Sequence, residues 1–99
     1  MNKSEFKILL SEKSAPDFKD TILLKAVWYL MRKDWESAHK IVQDEDSETA
    51  SWIHGLIHRI EGDLSNARYW YRNAGRKYDP DMTIEDESEL ILDSLIKIS

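Results

Sequence analysis

Trp52–Gly75, WIHGLIHRIEGDLSNARYWYRNAG, decides the fold. Apolar residues fall at Trp52, Ile53, Leu56, Ile57 and Ile60, the spacing of a broad amphipathic helix face. Gly62 supplies the backbone freedom that a helix end needs. Asp63 is placed to cap a second helix by accepting from its orphan N–H groups. A link this short makes the two helices antiparallel neighbours. The second helix turns Leu64, Ala67, Trp70, Tyr71 and Ala74 toward the first and stops at Gly75. Gly55 and Ala67 sit near mid-helix, where the absence of bulk predicts close approach of two backbones.

The series Gly55, Gly62, Asp63, Ala67, Tyr71 and Ala74, with Pro80 beyond, resembles a tetratricopeptide repeat. That likeness implies nested helix pairs, an aromatic filling the gap between them and recognition of peptides by an inner helix surface. Ser51 and His54 depart from the pattern, which usually has apolar residues there. The run IHRIEGDLSNARYWYRNAGR also looks like small bacterial proteins of tetratricopeptide-like type, a likeness that brings no known activity with it.

Upstream, Asp17–Lys33 reads as a long helix burying Ile22, Leu23, Ala26, Val27, Leu30 and Met31, widened by Trp28. Trp35–Gln43 reads as its short partner, capped by Asp34 and carrying Ala38, Ile41 and Val42 inward. Aligning Asp34 with Asp63 superposes Ala26 on Gly55, Ala38 on Ala67 and Val42 on Tyr71, at an offset of twenty-nine residues. The family's usual offset is thirty-four, and Lys33 stands where the clearer copy has its turn glycine. The expected domain is therefore a single unit, 1–99, with a degenerate repeat over about 17–43 and a clearer one over about 48–75. Asn2–Lys13 reads as a short N-terminal helix, with Asn2 and Glu5 as a capping box. Ser47 is expected to cap the central helix. Thr83 is expected to cap a last helix over about 83–98, whose stripe is Ile84, Ile91, Leu92, Leu95 and Ile98. Leu90 and Ile96 fall outside that stripe. The fold class is all-α, stacked antiparallel pairs with about six helices including both capping helices.

Composition narrows function. There is no cysteine, so disulfides and thiolate metal sites are excluded. The N-terminus carries charges throughout and no segment is apolar enough to span a membrane, so a cytoplasmic protein is expected. No Gly-x-Ser-x-Gly elbow and no glycine-rich phosphate loop is present, and the reading is of a protein that is not an enzyme. Charge is segregated: residues 51–78 hold five cations against two acids, and 79–99 seven acids against one lysine. Complementarity between neighbouring helices accounts for this, with pairing of chains through the C-terminal helix as a homodimer the alternative. Arg68, Tyr69, Trp70, Tyr71, Arg72 and Arg76 form an aromatic-basic cluster, but overall acidity argues against nucleic acid.

Two sets of residues remain as sites. His54 and His58, four apart, share one helix face with Glu61, and His39 on the preceding helix can come near. This is donor chemistry for zinc or nickel, although His-Gly-Leu-Ile-His lacks the internal glutamate of a metalloprotease motif. Under the twenty-nine-residue offset, Lys25, Tyr29 and Arg32 superpose on His54, His58 and Glu61. Side by side, with Arg59, they would line a surface for a peptide. The repeat likeness instead places His54 and His58 between paired helices, and both placements stay open at this level. The expected function is a non-enzymatic module binding a protein or peptide without a cofactor. The alternative is a small metal-binding or metal-sensing protein using His54, His58, Glu61 and His39.

Overall fold

The computed structural model describes residues 1–18 and 21–96, and among these it has six helices and no strand. They are α1 (Lys3–Leu9), α2 (Ile22–Met31), α3 (Trp35–Val42), α4 (Glu48–Ile60), α5 (Leu64–Asn73) and α6 (Ile84–Leu95). Local chemistry starts most of them. Asn2 and Glu5 form a reciprocal capping box, and the side chains of Asp34, Ser47, Asp63 and Thr83 each accept from the backbone N–H three residues on. Thr21, ahead of α2, makes no such bond.

Two helices are shorter than the periodicity predicts. α1 stops at Leu9, where the next residues close three-residue turns back to Lys7, Ile8 and Leu9. α2 starts at Ile22 and not at Asp17. Phe18 packs against Phe6, ring centroids 5.9 Å apart, so the chain after Pro16 is used to dock the N-terminal segment. The last helix ends at Leu95, and Ile98 lies outside the described residues.

α2 packs most closely with α3, and α4 with α5. Both pairs turn in the same way. Lys33 and Gly62 each adopt a left-handed conformation, with φ of 65° and 82°. Asp34 N–H then reaches back to Tyr29 O, and Asp63 N–H to His58 O, both at 2.9 Å. This closes the helix end by the same six-to-one bond in each pair. Within the second pair the expected close approach is present. A β-carbon on Gly55 would stand 3.3 Å from both Ala67 O and Tyr71 N. Ala67 is fully buried, so the two small residues do face the contact.

α6 lies across the first helices of both pairs, α2 and α4. Ile91 and Leu92 are its fully buried anchors. Ile96, read as outside the stripe, is also buried: its N–H still bonds Leu92 O at 2.9 Å, which sets it one turn beyond the buried Leu92; Leu90 is exposed as read. Ile22 and Leu64, expected to face their partners, are exposed instead. Each is the first residue of its helix. Lys3 and Lys7 of α1 pair with Glu89, and Lys3 also with Asp93, so the acidic last helix is answered partly by the N-terminal one. No helix among the described residues is long and apolar enough to cross a membrane.

Candidate functional site

His39 of α3 meets His54 and His58 of α4 at the joint between the two pairs. The Nε2 atoms of His39 and His54 are 3.0 Å apart, one donating and one accepting. One ring nitrogen from each of the three residues lies within 4.8 Å of the others. His54 is sandwiched: Trp70 stacks on one face at 3.9 Å between centroids and 8° between planes, and His58 lies on the other at 5.0 Å and 16°. His39 stands edge-on to both. His54 is buried, whereas His39 and His58 are half-buried, so the cluster has an inner wall and an outer opening.

The electrostatics follow from that packing. Burial pushes the His54 imidazole down from 6.5 to about 4, and the neighbouring His39 and His58 reinforce the shift. His54 is therefore neutral at physiological pH, with a lone pair to offer. Glu61 Oε1 lies 3.2 Å from His58 Nδ1 and Asp63 Oδ2 4.0 Å from it. Neither is aligned for a hydrogen bond, and His58 Nδ1 is a buried ring nitrogen without such a partner. Glu61 thus stands beside one imidazole and is not among the converging ring nitrogens.

The other expected site residues go elsewhere. Arg59 donates to Glu87 at 2.7 Å and to the carbonyl of Met82. Trp52 Nε1 and Tyr71 Oη donate to the other Glu87 oxygen, at 3.0 and 2.6 Å. This buried knot fastens α6 to α4 and α5. Burial works against the Arg59 cation, but Glu87 more than offsets it and its pKa is raised; burial also pushes the Tyr71 phenol up, Glu87 adding to the effect. Glu87 was not singled out by its type, since acids in a first turn fit the helix dipole. Its position carried a signal, because it falls between Ile84 and Ile91 on the apolar stripe.

Tyr29 and Arg32 line a cleft at one end of α2 together with Lys13, Trp28 and Asp34, and Lys25 is half-buried on the same helix. Arg32 donates to the carbonyls of Leu10 and Glu12 and lies over the Trp28 ring at 4.3 Å. Each stripe faces the element that precedes its own pair: the N-terminal segment for α2, and α3 for α4. The aromatic-basic cluster is divided as well. Trp70 walls the histidines, Tyr71 is buried, Tyr69 is exposed, and Arg76 covers Trp52 at 3.3 Å.

No family model, curated protein or solved structure matches the chain.

Proposed function

We propose that the protein is a non-enzymatic module that binds a protein or peptide through the open side of α2. One observation carries this reading. Ile22, Lys25, Tyr29 and Arg32 follow one another at i, i+3, i+7 and i+10, and the first is an exposed large apolar residue. Tyr29 and Arg32, with Lys13, Trp28 and Asp34, wall a cleft of about 300 Å³ beside this stripe. Arg32 is held by backbone carbonyls and shapes the cleft, leaving Lys25 and Tyr29 to make contact. An apolar residue, an aromatic and a cation in one row suit an acidic peptide that also offers an apolar side chain. The face that α2 and α4 share is a weaker choice, because α6 occupies it.

Affinity capture from the native cell tests the proposal. The expected result is a protein retained by the unaltered chain and by Tyr69→Ala, and lost by Lys25→Glu and Tyr29→Ala. Equal retention by all four would contradict it.

A further inference from the structure

We infer that His39, His54 and His58 form a binding site for a divalent transition metal of the zinc or nickel class, at the joint between the two helix pairs. The site goes beyond the partner surface on α2 and uses none of its residues.

Three imidazoles from two helices bring one ring nitrogen each to within 4.8 Å of the others, and one pair is already at 3.0 Å. Two ligands at the usual zinc–nitrogen length of about 2.0–2.1 Å in tetrahedral geometry stand about 3.3 Å apart. Closing the triangle therefore takes side-chain adjustments of about 1 Å, with no movement of a helix. Packing alone leaves this group poorly satisfied. The imidazoles have one mutual hydrogen bond between them, and His58 Nδ1 is buried without one. A cation would replace the His39–His54 hydrogen bond and engage one ring nitrogen from each of the three histidines.

The surroundings match what such a centre needs. Glu61 Oε1 and Asp63 Oδ2 stand 3.2 and 4.0 Å from His58 Nδ1 without a hydrogen bond, and a turn of the Glu61 side chain would supply the carboxylate contact that commonly orients a metal-bound imidazole. Trp70 covers the inner face of His54 and fixes its ring plane. The half-buried His39 and His58 leave the fourth position toward solvent, for water or a ligand from outside. Nitrogen donors without thiolate select borderline metals over magnesium and calcium. The consequence is mechanical: α3 and α4 contact each other less extensively than the helices within each pair, and a metal here would staple that joint.

The test is titration of the tag-free, chelator-treated chain with zinc chloride, followed by calorimetry and thermal unfolding, with cobalt chloride absorption as the geometric readout. The expected result is one metal per chain, a tetrahedral cobalt spectrum and a rise in Tm of roughly 10 °C at a hundredfold excess over Kd. His39→Gln and His58→Gln, at half-buried positions, should weaken binding by at least a hundredfold while keeping the helical circular dichroism. Glu61→Gln should weaken it about tenfold. Absence of heat and of any Tm shift in the unaltered chain, or binding of the same strength in His39→Gln, would overturn the proposal.

Discussion

The pairs α2–α3 and α4–α5 share a turn, a capping aspartate and small buried residues at matching places (Ala26 and Ala38, Gly55 and Ala67), and differ in what their polar stripes touch. In the first pair, Arg32 holds the N-terminal segment, Tyr29 lines a cleft with it, and Lys25 is half-buried. In the second, His54, His58 and Glu61 occupy the equivalent positions, and α3 packs over them. The backbone phase is the same, so the difference lies in what comes before each pair. A loop-rich segment leaves a stripe half open, and a helix closes it. The same rule sets how α6 is held. At equivalent positions α2 offers Leu30, buried and apolar, while α4 offers Arg59, which needs Glu87.

The largest effect should come from breaking that asymmetry at Glu87. Glu87→Ala leaves Arg59 buried without its counter-charge and takes the acceptor from Trp52 and Tyr71. Denaturant unfolding should show a loss of about 3–5 kcal/mol. Arg59→Met combined with Glu87→Leu should recover only part of this, since Trp52 and Tyr71 still lack their acceptor. Next is the nested contact. Gly55→Leu forces a side chain against the α5 backbone and should cost about 3 kcal/mol. Ala26→Gly at the matching place in the first pair should cost only about 1 kcal/mol, through helix propensity.

A pH effect separates the stripes further. In the metal-free protein the folded pKa of His54, about 4, lies below its ordinary 6.5. The unfolded chain binds a proton between these values that the folded chain refuses. Stability is therefore complete above about pH 6.5 and falls as pH drops toward 4, by on the order of 2 kcal/mol. His39, His58, Glu61 and Asp63 face the same space, so unfolding is compared between the unaltered chain and His54→Gln, whose slope should be shallower. The smallest effect is at the turns. Lys33→Gly should stabilise by about 1 kcal/mol, because a β-carbon is disfavoured at φ 65°. Gly62→Lys should destabilise by a similar amount.

Much of this was legible in the residues. Caps, turns and the Gly55–Ala67 contact are local or nearest-neighbour features, and spacing along one chain encodes them. That His39 could come near His54 and His58 was legible from its place on the preceding short helix, but its 3.0 Å contact with His54 was not. Glu87 and Arg59 were not legible as partners, because where α6 docks depends on three helices at once. Each residue also has an ordinary surface reading of its own. The start of α2 at Ile22, later than Asp17, has a related reason. Pro16 suits a first helical turn, but Phe18 packs on Phe6 of the N-terminal segment instead. The two stripes matched in register, yet register alone does not tell which neighbour covers each one.

The account turns on the interior placement of the second stripe, and imidazole nitrogen NMR of the metal-free chain measures it directly. The account predicts that His54 stays neutral down to about pH 4, with cross-relaxation between the His54 and Trp70 rings. Three independent titrations near pH 6.5, with no contact between those rings, would contradict it.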